Sequence, residues 1–187
     1  MTNREQLKNL LVTRSIRLGD FTLASGAKSD YYIDARLTTM SAEGQRLVGL
    51  VGYEAIRASE LDPTHVGGLT MGADPVAYAI AHTSALAGQP IDGFAVRKQA
   101  KDHGTGQQIE GGLPADGRAL MIEDTMTTGH STLKAVEAVR SHGSDIVGVL
   151  TVVNRSESAE KLYQDMGLRL ISLFTGTELL AVAKAET

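Results

Sequence analysis

No cysteine occurs anywhere in the 187-residue chain, which excludes disulfides, thiolate metal sites and a cysteine nucleophile. An apolar signal core near the N-terminus is also missing, and no apolar run approaches the length needed to span a bilayer. A cytoplasmic location is the expectation. Excess positive charge is absent too. The net charge is −4, so bulk electrostatics give no reason to expect nucleic acid or an anionic membrane as partner. There is no Gly-Lys-Ser/Thr phosphate loop, which disfavours a nucleoside triphosphatase. Internal repeats and low-complexity segments are lacking. What remains is a chain with 42% hydrophobic residues and mixed charges, enough for one globular domain with a real core.

One stretch organises the rest: ALMIEDTMTTGHST at 119–132. Ala119 to Ile122 run straight into two adjacent carboxylates, Glu123 and Asp124, and then into a loop rich in hydroxyls and glycine, Thr125 to Ser131. This order describes a buried strand with acids at its carboxyl end, followed by a loop and a helix N-terminus. Ligands of open α/β sheets bind at that end of the strands. The free N–H groups and dipole of a helix N-terminus attract anions. Thr127, Thr128 and Ser131 add hydroxyl donors, and Gly129 permits close backbone approach. The acids suit sugar hydroxyls or a metal and the loop suits a phosphate. A sugar phosphate satisfies both. Strand–turn–helix units with a capping acid are common, but two acids followed by four hydroxyls and a glycine are not an ordinary cap.

Around this stretch the pattern alternates. Residues 3–13 carry Leu7, Leu10 and Leu11 at helical spacing. Phe21 to Leu23 and Tyr31 to Ile33 are short β-like runs joined by a polar turn. Ser41 caps a helix reaching about residue 59, and Asp62-Pro63 breaks the chain. Strands are expected near 65–69, 93–97, 118–123, 146–153 and 168–173, with helices near 74–86, 131–142 and 157–166. Such alternation argues for an α/β fold with a parallel sheet covered on both faces. Val147 to Val153 is the best candidate for a central strand. Residues 1–40 fall outside the alternation and are expected to form a small lobe.

Two further segments fit an anionic ligand. Residues 97–117 lack helical periodicity and begin with Arg97, Lys98, Lys101 and His103, a concentration of positive charge in an acidic chain. A charge cluster in a long connection is ordinarily a solvated loop. With glycines at both ends, this one suits a flap that closes over an anion. The turn Thr70-Met71-Gly72-Ala73 also lies between a strand and a helix, with Asp74 as expected N-cap and Pro75 in the first turn.

With these loops together, the chain resembles the type I phosphoribosyltransferases, whose motif is four apolar residues, two acids and a Thr-Thr-Gly-rich loop. FAVRKQAKDHGTGQQIEG at 94–111, FTLASGAKSDYYIDAR at 21–36 and GADPVA at 72–77 make it similar to the orotate-using branch of that family. The resemblance runs over nearly the whole chain. It implies a central, mostly parallel sheet flanked by helices, a hood-like N-terminal lobe and a flexible catalytic loop. The implied reaction is 5-phosphoribosyl 1-diphosphate (PRPP) plus orotate giving orotidine 5′-phosphate and diphosphate, a step of pyrimidine biosynthesis. Mg²⁺ is implied as cofactor, bound mainly through PRPP. A homodimer with shared active sites is implied as the assembly. By position, Glu123 and Asp124 would hold the ribose hydroxyls. Thr125, Met126, Thr127, Thr128, Gly129, His130 and Ser131 would cradle the 5′-phosphate. Thr70, Met71, Gly72 and Ala73 would contact the diphosphate, and Arg97, Lys98, Lys101 and His103 would be its catalytic cations. Thr127 and Arg155 would bind orotate, the arginine fork matching a carboxylate.

The chain departs from that pattern at Ala24, where many relatives have lysine, and at His130, where they have a second glycine. Gly-Ala-Asp-Pro replaces a Tyr-Lys pair that some relatives carry in the diphosphate loop. A phosphoribosyltransferase for a purine or uracil would share 119–131 without needing the flap cations or Arg155. A regulator that only binds the sugar diphosphate would more readily show a basic face.

Overall fold

The computed structural model describes residues 1–22, 28–99 and 108–185. Lys101 and His103, two of the expected catalytic cations, and Ala24 lie outside the described residues.

Helix α1 (Asn3–Ser15) starts from a reciprocal cap in which the Thr2 hydroxyl accepts from Glu5 N–H and the Glu5 carboxylate accepts from Thr2 N–H. Strands β1 (Ile16–Thr22) and β2 (Lys28–Ile33) pair antiparallel as a separate two-stranded sheet. The short α2 (Arg36–Thr39) leads to α3 (Ala42–Ser59), capped by the Ser41 hydroxyl accepting from Gly44 N–H. Then follow β3 (His65–Leu69), α4 (Ala73–Leu86), β4 (Asp92–Val96), β5 (Ile109–Gly111), β6 (Arg118–Met126) and α5 (His130–His142). The chain continues with β7 (Asp145–Asn154), α6 (Glu157–Asp165), β8 (Leu170–Thr175) and α7 (Gly176–Ala185).

The main sheet has the order β5-β4-β3-β6-β7-β8, with only β5 antiparallel. From β3 the chain moves outward to β4, and from β6 it moves outward the other way through β7 to β8. The reversal lies between β3 and β6, which leaves a crevice beyond their carboxyl ends. Period-2 alternation divides the core in two. Leu120 and Ile122 of β6 join the layer built from α1, α3, α4 and α7, while Ala119 and Met121 face the layer of α5 and α6. Helices α3 and α4 approach closely at Gly49, where a Cβ would come within 2.3 Å of the Thr83 hydroxyl.

Several sequence expectations need correction. The middle of the sheet is β3 and β6; β7 is an interior strand next to the edge strand β8. Helix α1 is not part of a separate lobe, since Leu7 and Leu11 are fully buried in the main core; only the β1–β2 sheet stands apart. The segment 97–117 contains β5, and the apolar α7 was not anticipated. Asp74 is not the cap of α4. That helix starts at Ala73 with Gly72 as N-cap and no side-chain cap. No helix among the described residues is long and apolar enough to cross a membrane.

Candidate active site

At the crevice between β3 and β6 lies a cavity of about 360 Å³. Its walls come from three places: the end of β6 with Glu123, Asp124 and Thr125, joined by Ser131 of α5; the turn after β3 with Thr70, Met71 and Gly72; and the segment from Tyr32 to Arg36. Lys98, at the start of the flap segment, completes it.

Strand geometry explains the acid pair. Successive side chains on β6 point to opposite faces. Glu123 turns toward α5, where its Oε2 accepts from the buried Thr132 hydroxyl at 2.7 Å. Asp124 turns toward α4, and its Oδ1 accepts from Thr125 N–H at 2.8 Å. Gly72 makes room for it, because a Cβ there would fall 2.6 Å from Asp124 Oδ1. Burial pushes the Glu123 carboxyl up from 4.5 to about 7; the Thr132 hydrogen bond opposes this and the nearby Asp124 charge adds to it. Glu123 thus sits in a site that strains its ionised form until donors arrive.

The loop after β6 is shorter than the sequence suggested, since Thr125 and Met126 still belong to the strand. Met126 is 2% exposed, so its side chain is core, while its carbonyl accepts from Arg155 N–H at 2.8 Å. Thr127, Thr128, His130 and Ser131 are exposed at the start of α5. The left-handed backbone falls on Gly129, the N-cap, at φ 79°. His130 is the first helical residue and needs no positive φ, which removes the difficulty its replacement of a glycine posed. No side chain caps α5, and no acid occupies its first turn. The loop is braced from behind by Tyr163, whose hydroxyl donates to Gly129 O at 2.9 Å, and by the Ser158 hydroxyl donating to Thr127 O at 3.3 Å.

Arg155 follows β7 and stands with its guanidinium 4.9 Å from the Tyr31 ring centre, a cation–π contact from the two-stranded sheet. Its buried Nε has no hydrogen-bond partner among the described residues. Arg97 does not line the cavity; it is ion-paired with Glu110 of β5 at 3.1 Å. Ala73 is buried as the first residue of α4. The structure therefore brings together Thr70, Met71, Gly72, Lys98, Glu123, Asp124, Thr125 and Ser131, and leaves Arg97 and Arg155 beyond the cavity wall.

Sequence reasoning missed Thr132, Tyr32, Asp34 and Arg36 as site residues. The hydroxyl of Thr132 looked like one more polar residue of a helix start. The Asp34-x-Arg36 spacing was a signal, since a carboxylate two residues before an arginine can hold its fork locally. Asp34 does so, accepting from Arg36 Nε at 2.8 Å and Nη2 at 3.0 Å.

Comparison with known proteins agrees with this architecture. The phosphoribosyl transferase domain family matches residues 51–176. The chain is similar to the orotate phosphoribosyltransferase of Aquifex aeolicus, at 44% identity over 183 residues, covering 96% of this chain and 99% of the relative. Among solved structures it is similar to Mycobacterium tuberculosis orotate phosphoribosyltransferase in complex with Fe(III) dicitrate, with a TM-score of 0.84 at 42% identity, covering 95% of this chain and 99% of that one. A structure of the same enzyme with PRPP matches with a TM-score of 0.80 at 39% identity, over 95% of this chain and 99% of that one.

Proposed function

The chain belongs to the phosphoribosyltransferase family, in its orotate phosphoribosyltransferase branch, and on that premise we propose that it transfers the 5-phosphoribosyl group from PRPP to orotate, giving orotidine 5′-phosphate and diphosphate. The observation that carries this reading is the cavity at the sheet's reversal, where an acid-ended strand meets two helix-leading loops and a lysine.

The reaction needs no protein nucleophile. The bond from C1′ to the diphosphate oxygen breaks with its electron pair leaving on the diphosphate, and the ring nitrogen of the orotate anion forms the new bond to C1′. Positive charge develops on the ribose and negative charge on the leaving group. Catalysis is then positioning and electrostatic stabilisation. Asp124 and Glu123 accept from the ribose hydroxyls, and those donors favour the ionised form of Glu123 that burial alone disfavours. The uncapped, acid-free start of α5 and the hydroxyls of Thr127, Thr128 and Ser131 hold the 5′-phosphate. Thr70 to Ala73 and Lys98 face the diphosphate, joined on flap closure by Arg97, Lys101 and His103. Thr127 and Arg155 hold orotate, the guanidinium fork taking its carboxylate.

Among the described residues no group of three or more carboxylate or imidazole side chains could hold a metal ion. Glu123 and Asp124 offer the one or two carboxylates that suit Mg²⁺ bound chiefly by phosphate oxygens and water. When bound, the ion neutralises charge on the departing diphosphate. Orotate absorbance should fall when enzyme, PRPP and Mg²⁺ are combined. Turnover with a purine and none with orotate would overturn the reading.

We also propose a homodimer in which flap cations act on the neighbour's site. Lys101→Ala should lower turnover by about 10²–10³-fold while folding is intact, the size expected for losing one charge-stabilising donor. Mixed dimers of Lys101→Ala and Asp124→Ala subunits should then regain activity through one repaired site. Recovery of none after demonstrated subunit exchange counts against sharing.

A further inference from the structure

The two anion loops differ in what they offer a ligand. Helix α5 begins without an acid in its first turn, whereas α4 begins with Asp74. One oxygen of Asp74, Oδ1, is buried without a hydrogen-bond partner among the described residues, so an acid already stands where the α4 dipole would draw an anion. Nor does the turn before α4 carry a run of hydroxyls; Met71 at its centre is 62% exposed and apolar. A diphosphate at this turn therefore needs cations from elsewhere, and the acids at the end of β6 make that need greater.

Among the described residues two cations line the cavity, Lys98 and Arg36. Arg36 is held in place. Its backbone N–H and Nε donate to Asp34 Oδ1 at 3.2 and 2.8 Å, and its Nη2 donates to Asp34 Oδ2 at 3.0 Å. That side-on grip fixes the plane of the guanidinium and occupies one edge. Nη1 has no partner among the described residues and Nη2 keeps a second hydrogen, so three N–H donors remain, two of them parallel along the far edge. The Asp124 charge also acts on this guanidinium and helps keep it protonated, which agrees with its facing the acid end of the cavity.

We propose that Arg36 is a substrate-binding residue whose free guanidinium edge takes the diphosphate group of PRPP and stabilises it as it leaves. This rests on the phosphoribosyl transfer proposed above. Arginine suits the task because its planar fork bridges two phosphate oxygens and stays charged at any working pH. Asp34 is its positioning residue: by holding the plane of the guanidinium in advance, it reduces the rotamer freedom lost on binding.

The test titrates inorganic diphosphate with Mg²⁺ into wild type, Arg36→Gln, Arg36→Lys and Arg140→Gln, alongside steady-state kinetics with orotate and PRPP. Arg140, exposed in the last turn of α5, controls for loss of one positive charge outside the cavity. Arg36→Gln should weaken diphosphate binding and lower kcat/KM for PRPP, each by about tenfold or more, as expected for a charge-assisted hydrogen bond. The KM for orotate should be unchanged. Arg36→Lys should recover part of the loss, restoring charge without the fork, and Arg140→Gln should match wild type. Wild-type diphosphate binding and turnover in a folded Arg36→Gln variant would overturn the proposal. A rise confined to the KM for orotate would overturn it too, by assigning Arg36 to the acceptor. Wild type that neither binds diphosphate nor consumes orotate would remove the functional reading itself, an outcome distinct from either.

Discussion

The turn after β3 and the turn after β6 occupy equivalent places, at the carboxyl ends of neighbouring parallel strands and before a helix, yet they are built differently. The β6 turn ends on a left-handed glycine, exposes hydroxyls and opens a helix with no acid in its first turn. The β3 turn ends on a glycine in ordinary helical geometry, exposes a methionine and opens a helix with an acid in its first turn. The β6 turn offers its own hydroxyls and free N–H groups, whereas beside the β3 turn the cations that line the cavity among the described residues are Lys98 and Arg36. That suits a reaction in which one phosphate stays on the sugar throughout while the diphosphate must leave.

Three measurements would break or sharpen this contrast. The largest effect concerns Glu123, the acid on the β6 side. Its folded-state value of about 7 lies above the 4.5 of a free carboxyl, so between those values the folded chain holds a proton that the unfolded chain has lost. The Glu123 contribution to stability should therefore be greatest below pH 4.5 and fall by about 3 kcal/mol as pH rises through 7, so that Glu123→Gln changes the slope of stability against pH over that interval in denaturant melts. An unchanged slope in the variant would mean that the burden lies elsewhere. Next, Gly72→Ala places a Cβ against Asp124 on the β3 side and should cut turnover by about 10²-fold through misplacement of that carboxylate, with little change in melting temperature. Smallest is Gly129→Ala, which forces alanine to a positive φ with Leu162 and Tyr163 at 3.0–3.2 Å. It should cost about 1–3 kcal/mol of stability, read as a drop of several degrees in Tm. If Gly72→Ala melts early and Gly129→Ala does not, the assignment of the two glycines is reversed.

Much of this was legible in the sequence because it is local. Four apolar residues, two acids and a hydroxyl-rich loop are contiguous, so the strand end and the anion loop can be read directly from 119–131. The parity of the acids was also implicit, yet it gained meaning only once Thr132 and Gly72 were seen on opposite faces. Arg36 and Tyr32 could not be found that way, since the two-stranded sheet and the segment after it, far back in the chain, carry them to the cavity. Asp74 was misread because Asp-Pro imitates a cap followed by a first helical residue, while the helix had already begun at Ala73. Strand β5 was hidden for a different reason. Three residues are too few to show a period, and pairing with β4 supplies what they lack.

The adjacency of β3 and β6 has one more consequence. Gly67 pairs with Met121, and β3 ends at Leu69 while β6 runs on to Met126, so the turn after β6 opens about 10 Å further along the strand direction than the turn after β3. That offset is set by the backbone register and not by any side chain, so the two loops stand at different heights around the crevice whatever residues they carry.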